Sequence, residues 1–171
     1  SGAGNTAVGY QALLGNTTGL RNTAIGYGAM DGSGGATVLD SDDNTFLGHD
    51  AGGGIWTTAK CEFNVGIGNG ALDAAMNGAD NNVAVGYTSL TDLIEGEGNT
   101  AVGFGSGVAL EDGVSNVLVG KGAGATIVDG NNNTCIGKDA DTSAVGSANQ
   151  AVIGYGATGQ GDNSVTLGNA D

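Results

Sequence analysis

Apolar and polar positions alternate along this chain in short bursts that recur. An Asn is followed by a β-branched residue, a small or apolar residue, a branched aliphatic residue and a Gly, as in Asn5-Thr6-Ala7-Val8-Gly9 and Asn99-Thr100-Ala101-Val102-Gly103. The closing Gly stands at Gly9, Gly26, Gly48, Gly68, Gly86, Gly103, Gly120, Gly137, Gly154 and Gly168, at intervals of 17, 22, 20, 18, 17, 17, 17, 17 and 14 residues. The position before it is always a branched aliphatic: Val8, Ile25, Leu47, Ile67, Val85, Val102, Val119, Ile136, Ile153 and Leu167. The position three before it is β-branched in nine of ten copies, with Ala151 the exception. Residues two apart face the same side of a strand, so each copy predicts one short strand. A near-constant period along the whole chain predicts an all-β solenoid of about ten rungs, a single domain over residues 1–171. Helix is a poor alternative, because no long window carries the i, i+3, i+4, i+7 pattern and Gly interrupts every stretch. Brief helical turns over 71–76 and 89–94 are the most the pattern allows.

The columns differ in what they ask for. The residue between the two β-branched columns is also apolar or small, as in Ala24, Phe46, Gly66, Leu118 and Cys135. Strands apolar on both faces suit a parallel sheet. The expected arrangement puts Thr6 and Val8 into the core and Ala7 towards a neighbour. A roll of two short strands per turn is too thin to cover both faces, so the middle column predicts contact with another chain. Four before the Gly stands Asn5, Asn22, Asn44, Asn64, Asn82, Asn99, Asn116 or Asn133, replaced by Gln150 and Ser164 in the last two copies. Asn suits turns, and stacked amides can hydrogen-bond along a fibre axis. Three after the Gly only Ala or Ser occurs in the first nine copies, as at Ala12, Ala71 and Ser106, which predicts a tight corner. The Gly itself is expected where a Cβ is forbidden.

Composition narrows the picture. Gly accounts for 36 of 171 residues and Pro for none. Collagen would need Gly at every third position with abundant Pro. Disorder would lack both the β-branched residues and the period. The formal net charge of −14 argues against a nucleic-acid partner, because phosphate backbones need Lys and Arg. No apolar run approaches ~18 residues, so no membrane insertion is expected. Ser-Gly-Ala-Gly at the N-terminus does not read as a signal peptide. The pattern is cut at both ends, so the chain reads as a fragment of a longer fibre.

At these columns the chain resembles the head repeats of YadA-like trimeric autotransporter adhesins, whose unit is roughly Asn-Ser-Val-Ala-Ile-Gly followed by a small-residue segment. The nearest copies are "NNVAVG" at 81–86, "NQAVIG" at 149–154 and "DNSVTLG" at 162–168. The "GNTAVGYQAL" phrase at 4–13 also resembles repeats of phage tail-fibre proteins. The resemblance covers nearly the whole chain and rests on ten tandem copies. It implies a left-handed parallel β-roll, an intertwined or side-by-side homotrimer, and an extracellular place on a virion tail fibre or a bacterial cell surface. The structural repeat residues that carry it include Asn5, Val8, Gly9, Asn22, Ile25, Gly26, Asn82, Val85, Gly86, Asn99, Val102 and Gly103. The expected function is non-enzymatic: a structural and adhesive segment in host-surface attachment, most readily a phage tail fibre. The alternative is the head of a bacterial adhesin, and a remote one is a glycan-cleaving tail spike.

Candidate sites lie where the repeat is interrupted. Residues 31–43 and 52–63 exceed the common period, and loops on a rigid scaffold often carry recognition. Trp56 and Lys60 are the candidate contacts there for a host glycan or protein, with Trp56 folding over the core as the competing expectation. Asp40, Asp42 and Asp43, with Asp50, are oxygen ligands of the type Ca²⁺ takes, but they lack the spacing of a calcium loop. No cofactor is otherwise implied. "GYGATG" at 154–159 matches a dinucleotide-binding phrase but leads into another rung instead of a helix. Cys61 and Cys135 stand four rungs apart, roughly 19 Å, too far for a disulfide. His49 shares a column with Tyr10, Tyr27, Tyr87, Phe104, Lys121, Lys138 and Tyr155, which reads as a surface or interface edge. The acids are scattered, with no pair poised for glycoside cleavage. The Thr column raises ice binding, but Thr alternates with Val, which points to selection for shape.

Overall fold

In a computed structural model, residues 2–32, 41–56 and 59–168 are described. Ten strands of three residues each follow the predicted register: β1 (Thr6–Val8), β2 (Thr23–Ile25), β3 (Thr45–Leu47), β4 (Val65–Ile67), β5 (Val83–Val85), β6 (Thr100–Val102), β7 (Val117–Val119), β8 (Thr134–Ile136), β9 (Ala151–Ile153) and β10 (Val165–Leu167). They form one parallel sheet in sequence order. Each strand pairs with the next at equivalent repeat positions, as in Ala84↔Ala101 and Val85↔Val102. The chain is therefore a β-solenoid whose every turn advances one strand. No helix occurs among the described residues, so 71–76 and 89–94 form turns.

The facing of the strands is the reverse of the expected one. The middle column is the core: Ala24, Phe46, Ala84, Ala101, Leu118, Cys135 and Val152 have no exposed surface. The columns on either side face outward, with Val8 57%, Leu47 43% and Leu167 72% exposed. The physical reason is volume. The inner space must accept the limb that returns from the sheet, so it takes the small and variable column, while bulkier β-branched residues tile the outer face of the sheet.

The return limb is not a second strand, as a two-strand roll would require. It is a run of tight turns with left-handed backbone at alternate positions, for example Thr88 (φ 48°) and Leu90 (φ 49°). These turns still ladder from rung to rung, as in Leu72 N–H to the Ser89 carbonyl (3.1 Å) and Leu90 N–H to the Ser106 carbonyl (3.1 Å). The corner residues Ala29, Ala51, Ala71, Ala123 and Ala140 are fully buried, as the small-residue column predicts. At the closing glycines from Gly9 to Gly137 no side chain fits. Gly86 has φ 140°, and a Cβ there would come 2.3 Å from the Gly103 carbonyl oxygen.

A further column fills the core. Met76, Leu93, Leu110 and Ile127 each stand ten residues before a closing Gly and are fully buried. The longer third and fourth rungs hold the largest side chains. Phe46 meets Trp56 edge-on, with ring centroids 5.7 Å apart and planes at 62°. Glycines make room for it: a Cβ on Gly66 would approach Phe46 to 2.5 Å, and one on Gly52 to 2.8 Å. The segment 52–63 is thus partly core filling.

Candidate functional site

Two ladders and one flat face run the length of the molecule. The inner ladder is built by the Asn column. From Asn22 to Asn116 each amide oxygen accepts from the backbone and side chain of the next Asn, and each amide nitrogen also donates one rung onward. Asn99 shows the unit: its Nδ2 donates to Asn82 Oδ1 (3.1 Å) and to the Gly113 carbonyl (2.7 Å). Its Oδ1 accepts from Asn116 N–H (2.9 Å) and Asn116 Nδ2 (3.0 Å). All four hydrogen-bonding positions of a buried amide are used, which is what makes burial of so polar a group tolerable. The same pattern links Asn44, Asn64, Asn82, Asn116 and Asn133. The left-handed turn residue is the one before the Asn, such as Arg21, Asn81 or Ser115. The Asn is therefore selected for the ladder more than for the turn. The ladder ends at Gln150, whose Oε1 turns to Ser143 N–H (3.2 Å). Two before the Asn-column position, acidic or amide side chains on the third, fifth, eighth and tenth rungs accept from the backbone of the rung before: Asp42 from Leu20, Asp80 from Glu62, Asn131 from Val114 and Asp162 from Ala148.

The outer face of the sheet is made of the two outward columns of β1 to β10, one of branched aliphatics and one that mixes Thr with Val. Nine rung spacings of ~4.8 Å give it a length of about 43 Å. Ile25, Ile67, Val102, Ile136 and Ile153 are all exposed along it, between the more exposed ends.

Beside this face, past the closing Gly, runs the second ladder. Tyr10 stacks on Tyr27 with centroids 5.2 Å apart, and Tyr27 on His49 at 5.2 Å with planes at 8°. Tyr87 stacks on Phe104 at 5.1 Å. Lys121 then lies over Phe104 at 5.4 Å, and Lys138 over Tyr155 at 4.8 Å. The column read as a water-exposed edge is thus an exposed stack of rings and cations. Among described residues it is interrupted once, at Asn69.

The predicted sites fare unevenly. Trp56 is fully buried against Phe46, so the competing expectation holds and its ring is covered by the core. Lys60 is exposed, 3.5 Å from Glu62. Asp43 holds Arg21 by two bonds of 2.6 Å, and Asp42 accepts from Leu20 N–H at 2.6 Å. Those carboxylates already have partners, while Asp40 lies outside the described residues, as does most of 31–43. No group of three metal-ligating side chains stands together among the described residues. Instead a row of acids lies on consecutive rungs: Asp31, Asp50 and Asp73. Burial, reinforced by Asp50 and Asp31, pushes the Asp73 carboxyl up to about 6. Cys61 and Cys135 are buried free thiols pushed up to about 11 and about 12, chiefly by burial. No described helix is long and apolar enough to cross a membrane.

No protein-family model matches this chain, and no curated protein sequence matches it.

Proposed function

We propose that this chain is a non-enzymatic rod: one protomer of a trimeric extracellular fibre whose task is to hold and present a binding surface at a host cell. The observation that carries this reading is the outer face of the sheet. An exposed band about 43 Å long and two columns wide, one column aliphatic and the other mixing Thr with Val, is on the order of 500 Å² and continuous from end to end. Copies packed face to face would bury it, and a threefold arrangement covers one such face per chain without leaving a sheet exposed. The expected contact surface is thus the outward columns of the strands, in place of the middle column that the sequence pattern suggested. The ladders suit the same role, because rung-to-rung hydrogen bonds make a stiff rod.

Attachment of a phage tail fibre to a host glycan or protein is the preferred setting, with the head of a bacterial adhesin as the alternative. A glycan-cleaving spike is not favoured by the acids: Asp42, Asp80, Asp141 and Asp162 accept from backbone N–H groups, and Asp43 is paired with Arg21. One observation favours a second reading. Thr6, Thr23, Thr45, Thr100 and Thr134 turn outward on this face instead of into the core, an arrangement that can also order water at an ice surface. Light scattering decides between them. A trimer mass in physiological buffer is the expected result; a monomer mass overturns the fibre, and a monomer that also depresses the freezing point establishes the second reading.

A further inference from the structure

The ring ladder has one unplugged gap, and its dimensions suit a ligand. His49 and Tyr87 are the facing ends of two stacks, on the third and fifth rungs, with Asn69 between them on the fourth. The rear face of each ring is braced, His49 by Tyr27 at 5.2 Å and Tyr87 by Phe104 at 5.1 Å. The front faces look across two rung spacings, about 10 Å. The other ring faces that look along the column between Phe104 and Tyr155 are each covered by a lysine. Only the gap at Asn69 leaves two ring faces uncovered among the described residues.

We propose that this gap is a binding slot for a neutral pyranose ring, sandwiched between His49 and Tyr87 with Asn69 as its floor. One ring fills the gap: the intact stacks seat planar rings at 5.1–5.2 Å per step, and a pyranose of similar breadth takes the same two steps. The polar groups favour a sugar over a flat aromatic. The exposed Asn69 amide makes no hydrogen bond among the described residues, so its donors and acceptor are open to hydroxyls. The His49 imidazole is held by Asp50, with Nδ1 2.9 Å from Oδ2, which fixes the wall in place. Walls that are each braced from behind are pre-organised, so little ordering is lost on binding. A net charge of −14, with Asp50 at the rim, excludes acidic sugars in favour of neutral ones. This inference rests on the attachment reading for its biological setting, but its geometry belongs to the single chain.

The test is an NMR titration of the intact chain with methyl β-D-glucopyranoside, methyl β-D-galactopyranoside and methyl α-D-mannopyranoside, with benzyl alcohol as a flat ring and N-acetylneuraminic acid as an acidic sugar. At least one neutral pyranoside should saturably shift the His49, Asn69 and Tyr87 signals. Asn69→Tyr completes the ladder and should weaken that binding at least tenfold while leaving the fold intact. Tyr10→Ala, at the far end of the stack, should leave it unchanged. The slot is overturned by no saturable shift with any neutral pyranoside, by equal binding to Asn69→Tyr, or by stronger binding of the flat or acidic ring. Light scattering on the same samples keeps the two readings apart. A trimer without sugar binding refutes the slot alone, and a monomer that binds sugar refutes the fibre alone.

Discussion

Replacing Asn99 by Ala tests whether the amide ladder, and not the apolar core alone, holds the rungs in register. The substitution removes four hydrogen bonds in the fully buried interior. Two partners keep a second bond: Asn82 Oδ1 still accepts from Asn99 N–H at 2.9 Å, and Asn116 Nδ2 still reaches the Gly130 carbonyl at 2.8 Å. Two others, Asn116 N–H and the Gly113 carbonyl, lose their side-chain partner. Orphaned buried groups cost about 1–3 kcal/mol each, and each further lost bond about 1 kcal/mol, so the total is about 4–8 kcal/mol. Asn5→Ala breaks the corresponding bonds to Gly19 and Asn22 at the partly exposed first rung. Water can replace them there, and the loss should be about 1 kcal/mol. Equilibrium urea unfolding followed by far-UV circular dichroism measures both. Equal losses for the two variants would refute the ladder as a source of stability. Asn99→Asp sharpens the test, because it keeps the shape but sets a carboxylate oxygen against the Gly113 carbonyl. Burial and that carbonyl raise the folded-state pKa above the unfolded value of ~3.9. Its stability should therefore be greatest below about pH 4 and fall as pH rises through the folded pKa.

Three further outcomes are expected. Asp73 has its pKa raised from 3.8 to about 6, so ionising it opposes folding: its neutral form supports the fold fully below pH 4, and that support is lost between pH 4 and about 6. Asp73→Asn should raise the thermal midpoint at pH 7, and the gain should vanish by pH 4; a gain independent of pH would refute the assignment. Gly66→Ala pushes a methyl into Phe46 and should cost about 1–3 kcal/mol, and much less in a Phe46→Leu background; additive losses in a double-mutant cycle would show that the two residues do not share the space. The thiols of Cys61 and Cys135 should resist a disulfide reagent at pH 8 in the folded protein and react fully in urea, as a colorimetric thiol assay reads directly; fast reaction of the folded chain would place either residue at the surface.

The repeat by itself determined most of the architecture. Strand positions, register and the closing glycines follow from one period, because in a solenoid each residue meets its own equivalent on the next rung. The Asn column was visible for the same reason, and its role as a ladder needed only the stacking that the period implies. Met76, Leu93, Leu110 and Ile127 recur at intervals of 17 and were equally open to reading; they lie outside the conspicuous phrase, in the part of the repeat where other positions vary. What no pattern decided was which side of a strand faces in. A three-residue strand with apolar residues on both faces has two consistent orientations, and the choice depends on the path of the return limb. That path is set by left-handed turn residues such as Thr88 and Leu90, whose identities do not announce such a backbone. The fate of Trp56 was undetermined for a related reason: its burial depends on the space that Gly52 and Gly66 leave around Phe46, three-dimensional neighbours scattered along the chain. The gap between His49 and Tyr87 likewise existed in the sequence only as an Asn in a column of rings. It became a slot once the rings on either side were seen to stack, because only stacking fixes their faces opposite each other.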